Sequence, residues 1–207
     1  MASLADPRAK WFLQRWAITV PSYPHLKFYR ATPALFDIYL SIQRDPDNVE
    51  NTTLKNRRWD EEERRKAKEE LLQRYSDANA GKFDALEILI EFEGHIVGYG
   101  SSYALAPDFG NVGIVLNKSA RGRGIATASM QVFIQIAFEL FLTVHAGTMK
   151  LNTPMLALAT RLGLNGIDEV VDLPGRGIVA EVTYDIKRED WKYIDMKVEL
   201  AAAALDD

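Results

Sequence analysis

The stretch Asn111–Met130, which reads NVGIVLNKSARGRGIATASM, decides the fold and the kind of site expected of this chain. An apolar strand ends at Leu116, a short basic loop follows, and a helix begins at the glycines. Gly122 and Gly124 permit a tight turn that presents successive backbone N–H groups at the start of that helix, an arrangement that binds anions. Three cations lie within six residues of one another here: Lys118, Arg121 and Arg123. The stretch therefore predicts a site for a phosphate-rich ligand.

Two common phosphate-binding motifs do not fit this stretch. A dinucleotide-binding turn requires Gly or Ala three residues after its second glycine, where this chain has Thr127. A nucleotide P-loop requires Gly-Lys-Ser or Gly-Lys-Thr, which the sequence lacks. A second Gly/Arg string, Gly175-Arg176-Gly177, joins Pro174 to a strand rather than opening a helix, and it predicts a hairpin turn or a substrate-side loop.

Hydrophobic periodicity and turn residues around this stretch predict a mixed α/β fold, with antiparallel hairpins in the middle and crossover connections later. We expect strands over Leu26–Arg30, Ala85–Glu93, Ile96–Tyr103, Asn111–Leu116, Leu142–Ala146 and Gly177–Ile186. We expect helices that begin at Thr32-Pro33 and end before Asp45-Pro46, and helices over Asp60–Tyr75, Ile125–Glu139 and Thr153–Leu162. No repeat or low-complexity linker divides the chain, so residues 1–207 are expected to form a single domain, with an N-terminal arm (1–25) and a C-terminal tail (193–207).

Composition excludes several classes of site. The 207 residues contain no Cys, which excludes disulfides, cysteine-ligated metals and a cysteine nucleophile. The three histidines lie far apart in the sequence, so no metal site is expected: His25, His95 and His145. The absence of Cys fits a reducing compartment, and Met1–Trp16 carries charges without the apolar core of a signal peptide, so we expect a cytoplasmic protein.

The longest apolar stretch, Ile125–Leu142, is not expected to enter a membrane. Polar residues recur in it at four-residue spacing: Gln131, Gln135 and Glu139. This spacing predicts a helix of a soluble protein with one solvent-exposed polar face, or wet stripe.

The charge pattern argues against a nucleic-acid partner. The net charge is −4, and phosphate backbones require a basic face. From Asn165 onward, 11 acids stand against 5 bases, which hints at a cationic partner. The charged helix at Asp60–Tyr75 leaves open a third interpretation, an RNA- or ribosome-associated protein, although its charges are typical of a solvated helix face.

Three further features accompany the basic loop. The string from Arg121 to Ala126 matches the pattern Arg/Gln-x-x-Gly-x-Gly/Ala directly after a strand. Asn152 precedes an apolar helix that ends in Leu162-Gly163-Leu164, and Tyr184–Trp191 reads YDIKREDW. Together with Arg30 after the first strand, these segments resemble the GNAT superfamily of acyl-CoA-dependent N-acetyltransferases, in particular the branch that includes ribosomal-protein N-terminal acetyltransferases. The resemblance spans roughly residues 26–192.

The resemblance implies a central sheet that is mostly antiparallel, flanked by helices, and splayed between the motif strand and the next strand. It implies acetyl-CoA as cosubstrate, held through its diphosphate, its pantetheine arm and an acyl group polarised near Leu116. The residues implied in cofactor binding are Ile114, Val115, Leu116, Arg121, Gly122, Arg123, Gly124, Ile125, Ala126 and Asn152. The implied reaction is direct attack of a primary amine, from a small molecule or a peptide N-terminus, on the thioester.

The sequence departs from the family at the proton carriers. Asn111 stands about where many members have Glu, and Ala159 where many have a Tyr that protonates the thiolate. His145 is therefore our candidate base, since imidazole titrates near neutrality, and Tyr103, with Tyr184, our candidate proton donor. A non-catalytic acyl-CoA-binding regulatory module stays open as the alternative, as does the choice between a monomer and a homodimer.

Overall fold

A computed structural model describes residues 6–173 and 177–201. The strands are β1 (Arg15–Val20), β2 (Tyr23–Arg30), β3 (Ala85–Phe92), β4 (His95–Ala106), β5 (Phe109–Leu116), β6 (Thr143–Met149), β7 (Ile167–Leu173), β8 (Gly177–Lys187) and β9 (Lys197–Ala201). The helices are α1 (Ala9–Leu13), α2 (Phe36–Arg44), α3 (Pro46–Val49), α4 (Glu61–Asn79), α5 (Ile125–Leu140) and α6 (Thr153–Arg161). Short 3-10 turns occupy Pro33–Leu35, Lys118–Ala120 and Arg188–Asp190.

All nine strands join one sheet in the order β7-β8-β6-β5-β4-β3-β2-β1-β9. Neighbouring strands in the described ranges pair antiparallel except β5 and β6, which run parallel. The helices cover this sheet, so the predicted class, a mixed and mostly antiparallel α/β fold, is confirmed.

The parallel pair is short and then opens. Phe109–Asn111 of β5 pairs with Thr143–His145 of β6, and the pairing stops there. Beyond that point β5 stays on β4 as far as Leu116, while β6 stays on β8 as far as Met149. The two strands therefore part at the middle of the sheet, as the predicted splay required.

Helix α5 is the centre of the larger core, on one face of the sheet. Its Phe133 ring packs edge-on against Phe28 of β2, with centroids 5.8 Å apart. Gly100 of β4 is required beneath it, because a Cβ there would lie 2.0 Å from the Phe133 ring. On the opposite face, Leu89 and Tyr99 pack against the apolar side chains of α2 and α4 in a second cluster.

Helix α5 differs from the prediction of a wet stripe. Gln135 is buried, and its amide forms two hydrogen bonds to one residue of the C-terminal segment: Nε2 donates to the Ile194 carbonyl (3.0 Å) and Oε1 accepts from the Ile194 N–H (2.7 Å). The amide of Gln135 thus holds the segment after β8 against α5. Glu139 is exposed and forms an ion pair with Lys10. No helix in the described ranges is long and apolar enough to span a membrane.

Sequence reasoning missed three strands. β1 lies within the predicted arm and β9 within the predicted tail, and they pair with each other at the edge of the sheet. β7 is the opposite edge strand, and its mostly exposed side chains alternate too weakly to show a strand period. Of the turn predicted at Gly175-Arg176-Gly177, only Gly177 lies within the described residues, and it begins β8.

The charged helix is α4, and its cations are largely neutralised by neighbouring acids. It begins after Asp60, whose carboxylate accepts the Glu63 N–H as an N-cap (2.9 Å). Ion pairs involve these residue pairs: Lys66–Glu62, Arg65–Glu69, Lys68–Asp37 and Arg74–Glu87. This pairing is that of a solvated helix face rather than of a free basic surface for RNA.

Candidate active site

The loop between β5 and α5 presents a row of free backbone amides. Gly122 and Gly124 both have positive φ, +76° and +79°, so each turns the chain in a conformation that favours glycine. The Arg121 N–H donates to the Lys118 carbonyl (3.3 Å), and hydrogen bonding resumes with the Thr127 N–H to the Gly124 carbonyl (3.1 Å). In the described part of the chain, the five N–H groups of residues 122–126 have no protein acceptor. Five free amides at a helix N-terminus form an anion site of the size a diphosphate needs.

The two arginines of this loop have different surroundings. The Arg121 guanidinium donates to the Leu116 carbonyl (Nε 3.1 Å, Nη2 3.0 Å) and to the Asp47 carbonyl (Nη2 2.8 Å). It therefore fixes the loop between the end of β5 and α3. Arg123 lies over the Phe92 ring at 4.3 Å and 3.5 Å from Glu93, half exposed, so its charge is the freer of the two to meet a phosphate.

Asn48 of α3 also holds this loop, and sequence reasoning missed it. Its buried amide donates to the Asn117 side chain (2.8 Å) and to the Ile42 carbonyl (3.2 Å). Its oxygen accepts the backbone N–H of Lys118 (3.2 Å). The segment Asp45–Asn48 looked like a helix stop, and no sequence signal indicated that it packs on a loop some 70 residues later.

The strand register brings the candidate proton carriers into one row across the sheet. Tyr103 of β4 lies opposite Asn111 of β5, Asn111 lies opposite His145 of β6, and His145 lies opposite Asp185 of β8. Residues paired across strands share a face, so all four side chains start from the face opposite α5. The row crosses the sheet where β5 and β6 begin to part. By contrast, Tyr184 pairs with Ala146 and is buried in the core, so it faces away from the other candidates.

His145 is held by a carboxylate. Its Nδ1 lies 2.8 Å from Asp185 Oδ1, and its ring packs edge-on against Phe109 with centroids 5.6 Å apart. With Nδ1–H donating to Asp185, the neutral imidazole presents the lone pair of Nε2 as a proton acceptor. The His145 side chain is 22% exposed, so it can be reached by a ligand in the opening.

Tyr103 has the properties of a proton donor. Its side chain is partly exposed, and burial together with the negative charge of Glu181 raises the pKa of its phenol. The phenol therefore stays protonated throughout the neutral range. Tyr103 and His145 lie two strands apart, about 10 Å.

Glu181 of β8 belongs to the same region, and sequence reasoning did not select it. Its Oε1 lies 2.5 Å from the position of a Cβ on Gly147 of β6, so the carboxyl group rests on bare strand backbone. Burial raises its pKa, the charge of His145 opposes that shift, and Glu169 adds to it. Only the register of β6 on β8 places this residue near His145, which explains why no local sequence signal marked it.

Asn152 is the N-cap of α6. Its Oδ1 accepts the Met155 N–H (3.4 Å), and its Nδ2 donates to Thr148 Oγ1 (3.0 Å). An amide has two N–H donors and two acceptor lone pairs, so one of each is left for a ligand. Ala159, on the same helix, is fully buried and contributes no polar group. In the described ranges, no group of three His, Asp or Glu side chains is placed to hold a metal ion.

A family model described as "Acetyltransferase (GNAT) domain" matches residues 25–165 of the chain. No curated protein is similar enough in sequence to match it.

Solved structures share the fold at low identity. RimJ of Mycobacterium smegmatis in complex with CoA-disulfide is 18% identical, with a TM-score of 0.64 over 89% of this chain and 92% of that one. An acetyltransferase of Salmonella typhimurium that modifies the N-terminal serine of 50S ribosomal subunit protein L7/L12 is 15% identical, with a TM-score of 0.63 over 82% and 98%. The microcin C7 self-immunity acetyltransferase MccE, in complex with acetyl-CoA and AMP, is 16% identical, with a TM-score of 0.63 over 79% and 92%.

Proposed function

The chain belongs to the GNAT acetyltransferase family, and on that premise we propose that it transfers an acetyl group to a primary amine of a small molecule or of a peptide N-terminus. Membership makes it an acyl-CoA-dependent acetyltransferase with acetyl-CoA as cosubstrate. What acetyl-CoA supplies to the reaction is an acetyl group activated as a thioester.

One observation carries the proposal: the parting of β5 and β6 runs from the amides at the start of α5 to the row that contains His145. The residues present fit the cosubstrate. The free amides of residues 122–126 suit its diphosphate, and Arg123 adds a partly exposed positive charge. The unpaired edge of β5, at residues 114–116, offers backbone groups to the pantetheine amides, as a sheet edge does for an added strand. Asn152 retains one N–H for the same arm.

The proposed chemistry uses the row at the closed end of the opening. The acceptor arrives as an ammonium group, and Nε2 of His145 takes one proton from it, while Asp185 holds the imidazole in the required tautomer. The neutral nitrogen forms a bond to the acetyl carbonyl carbon, the carbon–sulfur bond breaks, and Tyr103 donates a proton to the departing sulfur. The nitrogen then loses its second proton to the Tyr103 phenolate, which leaves a neutral amide, a free thiol and a restored phenol. Holding both reactants together is worth up to about 7–11 kcal/mol of the barrier in favourable cases.

The first experiment separates an enzyme from a binding module. Purified protein is mixed with acetyl-CoA and a panel of primary amines, and free thiol and the mass of the acetylated amine are measured together. Acceptor-dependent thiol release with a matching product supports the transferase. Tight CoA binding without acceptor-dependent release supports the non-catalytic module and overturns the proposal.

The acceptor class rests on two kinds of support. The neighbours of similar fold include one that modifies the N-terminal serine of a ribosomal protein and a microcin C7 self-immunity acetyltransferase, and the first of these supports a peptide N-terminus as one acceptor. The carboxylates of β7 and β8 near His145 favour a cationic acceptor. The cytoplasmic location and the choice between monomer and homodimer stay predictions.

A further inference from the structure

Glu181 occupies a place that the proposed chemistry has not used. In the sheet register it lies opposite Met149 of β6 on one side and Glu169 of β7 on the other. Its carboxyl group reaches Gly147, which is exposed and follows the last residue of β6 that pairs with β5 by two positions. Two residues along a strand span roughly 7 Å, so the carboxylate lies beside His145 on the wall of the opening.

Among the described residues, the Glu181 carboxylate has no partner and is partly buried, whereas Glu169 opposite it is exposed. Asp185 is bound to His145, and the buried Glu87 is bound to Arg74 at 3.0 Å. In the described part of the chain, no group donates a hydrogen bond to the carboxylate of Glu181. A half-buried carboxylate without a partner has lost hydration that nothing in the protein replaces, so a cationic ligand gains from meeting it.

The groups that face Glu181 come from each neighbouring strand. His145 on β6 attracts it, Glu169 on β7 repels it, and Tyr103 on β4 and Asp185 on its own strand face the same side of the sheet. Burial raises the pKa of Glu181, yet His145 limits that shift. The carboxylates in this set outnumber its one basic side chain, the imidazole of His145. The net charge of these groups around the opening is therefore negative.

We propose that Glu181 binds the ammonium group of the acceptor above Gly147, and thereby selects amines that carry no carboxylate beside the amino group. The inference rests on the proposed function for the place at which the acceptor enters. Glu181 acts as a specificity-determining residue: it holds the ammonium beside Gly147 while Nε2 of His145, two residues away along β6, receives the proton. An α-carboxylate on the acceptor would lie close to Glu181 and Asp185 and would be repelled.

The test measures acceptor binding without turnover. Alaninamide, tetra-alanine amide and free alanine are titrated into the protein saturated with CoA, and binding is followed by calorimetry and by NMR chemical shifts. We expect the two amides to bind and alanine to bind at least about tenfold more weakly. In Glu181→Gln, binding of the amides should weaken by about ten- to a hundredfold, and their advantage over alanine should shrink.

Glu169→Gln is the matched control, since it removes the carboxylate directly opposite Glu181 in the β7–β8 pair. It should change amide binding by less than about threefold, as expected for an exposed charge. Gly147→Ala places a methyl group where the Glu181 carboxyl lies, without a positive φ to strain the backbone, so it should weaken amide binding in the same direction as Glu181→Gln. CoA affinity and the urea midpoint, measured for every variant, show that the site and the fold persist.

Three results would overturn the inference: wild-type affinity for the amides in Glu181→Gln, equal losses in Glu181→Gln and Glu169→Gln, or no binding of either amide to the wild type. Its failure is distinct from failure of the proposed function. Amide binding that depends on Glu181 without product formation keeps the inference and rejects the transferase. Product formation with unchanged binding in Glu181→Gln does the reverse.

Discussion

The two ends of the opening between β5 and β6 are built by different means. At the wide end, the loop proposed to bind the diphosphate is a continuous stretch of chain whose free backbone N–H groups would bind the ligand, with two glycines at positive φ. At the closed end, the proposed proton carriers are side chains from β4, β6 and β8, brought together only by strand register. A site made of consecutive backbone amides depends on the conformation of one short segment, which tolerates few substitutions. In a row of side chains from several strands, a residue on one strand can take over the role of a residue on another. Asn111, which stands about where many family members have Glu, lies in this row.

The largest effect is expected at the loop. Gly124→Glu places an L-residue at φ +79° and a negative charge among the amides of an anion site. We expect CoA affinity to fall at least about a hundredfold, measured by calorimetry, with loss of detectable transfer. Gly81→Glu carries a similar strain at φ +95° after α4, and it should leave CoA affinity unchanged. Unaltered CoA binding in Gly124→Glu would remove the loop from the site.

The second-largest effect is expected at His145. Its substitution tests whether this residue acts as the general base at a site where Asn111 stands in place of the Glu that many family members have. In the proposed chemistry Nε2 of His145 takes the proton from the acceptor, so His145→Ala should reduce kcat/KM about a hundredfold and change its dependence on pH. The exposed His95→Ala serves as the control. If the pH profile is the same in His145→Ala as in the wild type, another group is the base.

A smaller effect is expected at Tyr103. A thiolate is a good leaving group near neutral pH, so its protonation assists the reaction only modestly, and Tyr103→Phe should lower kcat about tenfold. Because burial and Glu181 raise the pKa of Tyr103, the phenol stays protonated through the neutral range. No loss of kcat between neutral and mildly alkaline pH should therefore come from Tyr103. An alkaline loss of kcat that occurs in the wild type and disappears in Tyr103→Phe would contradict the raised pKa of this phenol.

The smallest effect on turnover is expected at Asn48, which supports the loop from outside. Asn48→Ala removes three hydrogen bonds of a buried amide, and it should lower the free energy of unfolding by about 1–3 kcal/mol in urea titrations. With the cofactor bound, kcat should change less than about threefold. The exposed Asn51→Ala is the matched control for stability. A large loss of kcat in a stable Asn48→Ala protein would show that the loop needs the hydrogen bonds of Asn48 to keep its conformation.

Sequence reasoning reached the parts of the molecule that depend on neighbouring residues. The bounds of β3, β5 and α5 agree with prediction within two residues, because apolar periodicity and the glycines mark them locally. The splay came from the family resemblance and is confirmed. His145 and Tyr103 were selected by residue type, and the register does place them in one row, though their roles stay predictions.

What sequence reasoning missed depends on distant pairing. Gln135 looked like part of a wet stripe, since nothing local shows that Ile194 covers it. The role of Arg121 in cofactor binding stays a prediction, but sequence reasoning missed that its guanidinium also donates to the carbonyls of Leu116 and Asp47, because the contact with Asp47 depends on where α3 packs. Glu181 sits in an ordinary alternating strand, and only the register of β8 on β6 brings its carboxyl group to Gly147.

Strand β5 sets the distance between the loop proposed to bind the diphosphate and the row of proposed proton carriers. Asn111, in the row, and Leu116, before the loop, are five residue steps apart, about 17 Å along an extended chain. Chain connectivity fixes the arrangement: because β5 and β6 are parallel, α5 must return from the wide end to the narrow one, so its N-terminus always lies at the wide end. An acyl donor must therefore be long as well as activated. Acetyl phosphate, which is also an anionic acyl donor but only a few ångströms long, cannot reach both ends at once.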